Sequence, residues 1–267
     1  MSLIGFLGAG NMAGSMIDGL LRAGEPASSI ACLGGSGSSA SSLVARTGIM
    51  HARDTNELCG GADVIVVAFK PKHLASLSHS IADASRGKLV LSILAGKTLA
   101  SLKSVFPNAR AIVRAMPNTP GRIGAGVSAW CSNSKLPEAD SGRVAQLLGA
   151  LGSFHEVPES LMDAVTAVCG SGPGFVFEFT AALREAAVAA GFPSELADIF
   201  ARSVVNGSGK LLEDGTDPET LRNQVTSPRG TTAAGLDVFA KADLRGIVRD
   251  AVLAATRRGG ELSRDAW

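Results

Sequence analysis

The stretch Ile4-Gly5-Phe6-Leu7-Gly8-Ala9-Gly10-Asn11-Met12-Ala13 decides the fold of this chain. A short apolar strand runs into a G-x-G-x-x-A pattern, and an amphipathic segment from Met12 to Leu21 follows at once. In such a unit, Gly8 permits the tight turn, Gly10 lets a pyrophosphate approach bare backbone, and Ala13 lets the helix lie close to the strand. The free N–H groups of the helix start favour a phosphate. The stretch therefore predicts a dinucleotide-binding turn, with a purely structural glycine turn as the alternative.

The composition limits the classes of protein to which the chain can belong. Its 267 residues, 46% of them hydrophobic, are enough for two domains with a substantial core. A net charge of +1 and the lack of a Lys/Arg-rich run argue against a nucleic-acid partner. No apolar run approaches the ~20 residues of a membrane span, and the first residues read as a strand rather than a signal peptide. The four cysteines and four histidines are scattered, so we expect no metal, no disulfide and a cytoplasmic location.

Strand and helix patterns alternate along the first part of the chain. The run Val64–Phe69 is apolar nearly throughout, as in a parallel strand buried on both faces. Further short strands are predicted at 4–7, 29–33, 49–52, 88–93, 111–114, 127–131 and 154–157. The alternation predicts an α/β fold, with a Rossmann-type doubly wound parallel sheet in an N-terminal NAD(P)-binding domain over residues 1–157.

Strand signals stop near residue 158, and helical patterns fill the chain from there to residue 267. The segment Pro173–Ala190 is apolar nearly all round, with Pro173 suited to a first helical turn and Gly191 to a helix end. A helical domain this short has too few residues to bury such a helix by itself. We therefore predict an all-α dimerisation and substrate-binding domain over 158–267, and a homodimer, or a higher oligomer, formed through it.

The carboxyl ends of the predicted parallel strands are the expected cofactor site, because open α/β sheets bind ligands there. After the second strand, Gly34-Gly35-Ser36-Gly37-Ser38-Ser39 replaces the carboxylate that holds the ribose of NAD in related folds. Without that negative charge, and with three serine donors, the loop favours NADP, and NADPH as the reductant. NAD is the alternative cofactor, and a merely flexible loop is the other interpretation. Lys70, after the strongest strand, is either a cofactor contact or a solvated charge.

The most distinctive pattern of the second half is Thr226-Ser227-Pro228-Arg229-Gly230-Thr231-Thr232. Small residues, a proline and two threonines there precede a predicted helix. The amides of Gly230, Thr231 and Thr232 would point toward one spot and form a pocket for a carboxylate or a phosphate. An elaborate helix cap is the alternative interpretation.

Read together, five motifs resemble pyrroline-5-carboxylate reductase over nearly the whole chain. They are Gly8-Ala9-Gly10-Asn11-Met12-Ala13, Phe69-Lys70-Pro71, Met116-Pro117-Asn118-Thr119-Pro120, Gly170-Ser171-Gly172-Pro173 and the segment 226–232. Members of that family are NAD(P)H-dependent enzymes with a Rossmann domain and a helical dimerisation domain. They reduce 1-pyrroline-5-carboxylate to L-proline, the last step of proline biosynthesis. The resemblance therefore implies an oxidoreductase acting on a small molecule.

The resemblance, taken with the serine loop, also implies roles for individual residues. Cofactor contacts are expected at Gly8, Gly10, Asn11, Met12, Gly34, Ser36, Asn56, Ala68, Phe69, Lys70, Pro71, Ala95 and Asn118. Substrate contacts are expected at Ser227, Gly230, Thr231 and Thr232. We predict that the hydroxyl of Thr232 is the catalytic contact to the ring nitrogen, while the amides from Gly230 to Thr232 hold the substrate carboxylate. No strong base is required if the imine is already protonated, which fits a pocket without His, Asp or Glu.

One position departs from the family pattern, because Arg229 stands where the family usually has a glycine. If that position needs a positive φ, arginine costs on the order of 1 kcal/mol. Otherwise its side chain faces solvent, or its guanidinium strengthens the binding of a carboxylate. Three interpretations of Arg229 therefore stay open.

Two other classes of protein are alternatives to this family. The β-hydroxyacid dehydrogenases share the two-domain plan but use a lysine on the helix after a glycine-rich turn. Here no lysine follows Gly170-Ser171-Gly172 before Arg184, which argues against them. A cofactor-binding scaffold without chemistry is supported only by Arg229.

Overall fold

The computed structural model describes residues 3–264 except 36, 75–76 and 78–79. Within these residues, eight strands form one sheet in the order β3-β2-β1-β4-β5-β6-β7-β8. The strands are β1 Leu3–Leu7, β2 Ile30–Leu33, β3 Met50–His51, β4 Ala62–Val67, β5 Leu89–Ser92, β6 Ala111–Met116, β7 Gly126–Ser132 and β8 Gly152–Glu156.

Strands β1 to β6 are all parallel and lie in the order β3-β2-β1-β4-β5-β6. The chain direction across the sheet reverses between β1 and β4, which is the switch point where Rossmann sheets bind dinucleotides. The predicted N-terminal Rossmann sheet is therefore confirmed.

Strand β7 departs from the predicted all-parallel sheet, because it pairs antiparallel with β6, with Val113 opposite Ser132. Strand β8 then pairs parallel with β7. The cause is the short connection, residues 117–125, since a parallel return needs a crossover of about a dozen residues or more. The connection instead forms a 3-10 turn over Thr119–Ile123.

The core lies on both faces of this sheet, and β4 illustrates it. Val64 and Val66 pack into one apolar cluster, and Ile65 and Val67 pack into the other. All four side chains are fully buried. The prediction of a strand buried on both faces is confirmed. Successive side chains of a strand point to opposite faces of the sheet, and both faces are covered here, so the sequence of the strand is a continuous apolar run.

The helices lie between the strands in the first half and follow one another in the second. In the first half they are α1 Asn11–Arg22, α2 Ser39–Thr47, α3 Thr55–Gly61, α4 Ser80–Ala84, α5 Leu99–Val105 and α6 Glu138–Gly149. After β8 they are α7 Met162–Val165, α8 Gly172–Ala189, α9 Ser194–Leu211, α10 Pro218–Gln224, α11 Thr231–Lys241 and α12 Leu244–Arg264. Gly191, with a φ of +99°, ends α8 as predicted.

Two compact units result from the contacts within the chain. The sheet unit contains the described residues up to Ser171 and those from Ala254 onward, and the helical unit spans Gly172–Leu253. The C-terminal part of α12 thus belongs to the sheet unit, where the backbone of Leu262 lies against Gly96.

The helical unit has little core of its own. Its buried hydrophobic residues, within the described chain, are Ala197 and Ala201 of α9. Helix α8, every residue of which is described, contains no buried residue, and Phe177 is 64% exposed. Among the residues described here, no helix is long and apolar enough to cross a membrane.

Candidate functional site

The glycine turn after β1 has the geometry that the sequence predicts for a phosphate-binding turn. Gly8 has a φ of +117°, and a Cβ there would lie 2.6 Å from the carbonyl of Ala68. A Cβ at Gly10, by contrast, would meet no atom within 4 Å. Helix α1 has no side-chain cap, and its geometry leaves the amides of Asn11, Met12 and Ala13 without partners inside the helix. These amides and the open space at Gly10 suit a pyrophosphate.

Backbone hydrogen bonds place the carboxyl ends of β1, β2, β4 and β5 side by side, next to this turn. Gly8 N–H donates to Leu33 O (2.8 Å), Ala68 N–H to Leu7 O (2.8 Å), and Ile93 N–H to Val67 O (3.0 Å). The expected cofactor residues that follow these strands are therefore neighbours along one edge. They are Gly8, Gly10, Asn11, Met12, Gly34, Ala68, Phe69, Lys70, Pro71 and Ala95.

The other expected cofactor residues have different surroundings. Asn56 is exposed in the first turn of α3, behind the capping residue Asp54. Ser36 lies outside the described residues. Asn118 is buried, and its side chain donates to Cys169 O (3.1 Å) and accepts from Val127 N–H (3.0 Å). Its side-chain amide thus joins the loop after β6 to Cys169 and to β7.

A buried ionic cluster on β6 was not predicted from the sequence. Arg114 is only 4% exposed, and its guanidinium lies 3.2 Å from Glu159 Oε1 and 3.3 Å from Asp163 Oδ1. The same Glu159 oxygen accepts from Leu99 N–H (2.7 Å), and Ser263 Oγ donates to Asp163 (3.2 Å). The cluster therefore fixes the start of α5, just after the Ala95 loop. An arginine in an otherwise apolar strand was the signal that could have revealed it.

Cys169 lies in a π-helical segment, Thr166–Gly170, between α7 and α8. Partial burial raises the pKa of its thiol, so it stays protonated at neutral pH. Neither Cys169 nor the other three free cysteines is placed in a metal-ligand group within the described chain. The segment therefore contributes packing and hydrogen bonds rather than a thiolate nucleophile.

The second predicted pocket lies at the start of α11. Gly230 is the capping residue, and the first bond inside the helix runs from Ala234 N–H to Gly230 O (3.1 Å). The amides of Thr231, Thr232 and Ala233 therefore have no partner inside the helix. Thr232 is half-buried, and its hydroxyl forms no hydrogen bond with any described residue. The helix start thus offers three amides and a hydroxyl to a ligand.

The amide of Gly230, which was expected to face the ligand, forms a hydrogen bond within the chain. Gly230 N–H donates to Ser227 O (3.0 Å) and closes a four-residue turn with Pro228 and Arg229 at its centre. Its amide is therefore satisfied inside the turn, and Ala233 takes its place in the row of unpaired amides. The expectation that the Gly230 amide faces the ligand is corrected accordingly.

Arg229 adopts a φ of +61°, the left-handed conformation that favours glycine. Of the three interpretations left open by the sequence, this agrees with the one in which position 229 has a positive φ. The side chain is also exposed. A glycine would adopt this turn without the steric cost.

Comparison with known proteins finds family models that match both halves of the chain. Residues 159–262 match the family model described as pyrroline-5-carboxylate reductase dimerisation. Residues 3–96 match the model described as NADP oxidoreductase, coenzyme F420-dependent. Pyrroline-5-carboxylate reductase from Pseudomonas aeruginosa is 34% identical, over 97% of this chain and 96% of its own. The Synechocystis enzyme of the same name is 39% identical over 79% of each chain.

The chain belongs to the pyrroline-5-carboxylate reductase family. The structure of the family member from Coxiella burnetii has a TM-score of 0.92, at 30% identity over 99% of both chains. That from Plasmodium falciparum, which has NADP bound, has a TM-score of 0.85 at 28% identity over 98% of both chains. These matches confirm the predicted family and fold class. The family model over residues 3–96 agrees with the predicted NADP-type cofactor.

Proposed function

We propose that this protein reduces 1-pyrroline-5-carboxylate to L-proline, with NADPH at the Gly8–Met12 turn and the imine at the start of α11. The observation that carries the proposal is the row of unpaired amides at Thr231, Thr232 and Ala233 beside the unpartnered Thr232 hydroxyl. This arrangement suits a small molecule with one carboxylate and one nitrogen, which family membership supports.

The sheet unit provides the surroundings that the cofactor needs. When bound, the reduced nicotinamide supplies the hydride. The chain's own part is to hold the phosphates on the amides of α1 and to orient the ring at the strand ends. The fixed turn at Gly8, with no room for a side chain, makes that orientation rigid.

The helical unit provides recognition of the substrate. The amides at Thr231 and Thr232 hold the carboxylate, and the Thr232 hydroxyl forms a hydrogen bond with the ring nitrogen. Residues 226–234 contain no His, Asp or Glu, so these residues orient a substrate that arrives protonated and do not remove a proton. Ser227 and Gly230 shape the pocket through their turn.

A preference for NADPH over NADH is part of the proposal. The loop after β2 has no carboxylate to repel a 2′-phosphate. At Gly34, directly after β2, a Cβ would lie 2.5 Å from Cβ of Ala40. An acidic side chain at this position would therefore require the start of α2 to move.

The assembly proposed is a homodimer, or a higher oligomer, formed through residues 158–267, with residues 1–157 as the cofactor domain. The dimerisation model that begins at residue 159 supports this division. The exposed apolar residues of α8 support a subunit interface there. Four free cysteines fit a reducing compartment, and we propose that the enzyme acts in the cytoplasm.

The direct test is oxidation of NADPH and of NADH with 1-pyrroline-5-carboxylate, followed by absorbance, with L-proline identified as the product. We expect turnover with both cofactors and a higher kcat/KM for NADPH. A 3-hydroxy acid with NADP is the comparison reaction, and we expect no turnover there. Activity with the hydroxy acid and none with the imine would reject the proposed function.

A further inference from the structure

A groove of about 520 Å³ opens beside the glycine turn. One wall is the first half of α1, with Gly10 and Asn11 at its top, and the facing wall is α2. A third contribution comes from the turn after β6, which places Arg122 on the lining. Nothing in the sequence motifs pointed to this residue, because it lies more than a hundred positions from the glycines.

Among the described charged residues that line the groove, Arg122 alone is not offset by an opposite charge. The guanidinium of Arg46 forms a bidentate ion pair with the carboxylate of Asp18, with N···O distances of 2.7 and 3.0 Å. This pair has no net charge, so it has little effect on a ligand elsewhere in the groove. Arg122 is exposed and forms no ion pair with any described residue. The groove therefore carries about one uncompensated positive charge near the free amides of α1.

The backbone of the turn that carries Arg122 is held in place by packing and hydrogen bonds. The 3-10 turn Thr119–Ile123 packs against α1. Three backbone hydrogen bonds stiffen it, from Gly121 N–H to Asn118 O (3.1 Å), Gly124 N–H to Gly121 O (3.1 Å) and Ala125 N–H to Pro120 O (3.2 Å). A rigid turn of this kind holds the long side chain over the groove at a lower entropic cost than a loose loop would.

We propose that Arg122 binds the pyrophosphate of the dinucleotide, opposite the amides of Asn11 and Met12. The inference rests on the proposed use of a dinucleotide and adds a residue from the turn after β6 to its binding. A guanidinium matches two phosphate oxygens at once, and its hydrogen bonds to an anion are stronger than neutral ones. The contact is made to a group that NADPH and NADH share, so it contributes affinity without choosing between them.

The test is the dissociation constant of NADPH and of NADH, measured by nicotinamide fluorescence, for the parent and Arg122→Met. We expect both constants to rise by the same factor, about ten- to thirtyfold. The affinity of the variant should also depend less on salt, because one exposed charge pair is lost. Arg122→Lys should recover part of the affinity.

Arg86→Met is the matched control, because it removes the same charge from an exposed pair with Asp83. Arg86 precedes β5 and so lies near the amino ends of the parallel strands, whereas the groove lies at their carboxyl ends. We expect its dissociation constants to equal those of the parent.

Three results would overturn the inference. Unchanged affinity in Arg122→Met would remove the contact, and a loss for NADPH alone would place Arg122 at the 2′-phosphate instead. A parent that binds neither dinucleotide would reject the proposed function, and the inference with it.

Discussion

At the scale of single residues, Arg229 adopts a backbone conformation that is costly for any side chain. Its φ of +61° occurs at the centre of the turn that Gly230 closes onto Ser227. We expect Arg229→Gly to raise the free energy of unfolding by about 0.5–1 kcal/mol, since relief of left-handed strain exceeds the added freedom of the unfolded glycine. Urea unfolding at one fixed protein concentration measures the difference.

Arg229→Ala separates the backbone effect from the charge. It keeps the strained φ and removes the guanidinium, so its stability should stay near that of the parent. If Arg229→Gly is no more stable than Arg229→Ala, the turn is not strained in solution. A rise in KM shared by both variants would instead assign the guanidinium a role in binding the substrate.

Thr232 is the residue on which the proposed chemistry depends most. Its hydroxyl has no partner among the described residues, so Thr232→Ala should change stability little. We expect kcat to fall ten- to hundredfold, corresponding to about 1.4–2.7 kcal/mol of transition-state stabilisation. KM should change less than kcat, because the hydrogen bond is stronger in the transition state.

Thr232→Ser is the control, because it keeps the hydroxyl and removes the methyl group. We expect it to retain most of the turnover, and NADPH affinity to be unchanged in both variants. Turnover at the parent level in Thr232→Ala would exclude the hydroxyl from the mechanism.

At the scale of elements, the single chain leaves the apolar helix α8 uncovered. Phe175, Val176, Phe177 and Phe179 are each 39–64% exposed, an unusual density of apolar surface for one helix. We expect the parent to sediment as a dimer or larger at micromolar concentration. Phe177→Glu should shift it toward the monomer, since the carboxylate would be buried in the interface.

Met50→Glu is the matched control for this substitution. Met50 is an exposed apolar residue on β3 of the sheet unit, and it is 42% exposed. We expect this variant to sediment like the parent. A fully active monomeric parent would contradict the interface at α8.

At the scale of the whole molecule, the chain distributes its proposed function over two units. The sheet unit carries the expected cofactor residues, and the helical unit carries Thr231 and Thr232. The last part of α12 belongs to the sheet unit, where Ser263 joins Asp163 and thus the cluster around Arg114. The position of this segment along the chain gives no sign of that packing.

The sequence by itself determined the elements whose identity depends on neighbouring residues. The glycine turn, the doubly buried strand β4 and the helix end at Gly191 each follow from local spacing and residue type. The motifs from Gly8 to Thr232 also sufficed to place the chain in its family.

Only the tertiary structure decided features that depend on distant contacts or on a specific backbone conformation. The antiparallel direction of β7, the closed turn that uses the Gly230 amide and the positive φ of Arg229 are three such features. The nearness of Arg122 to Gly10 is another. Side-chain periodicity records burial and not the direction of a strand or the partner of an amide. Those are set by the packing of segments far apart in the chain.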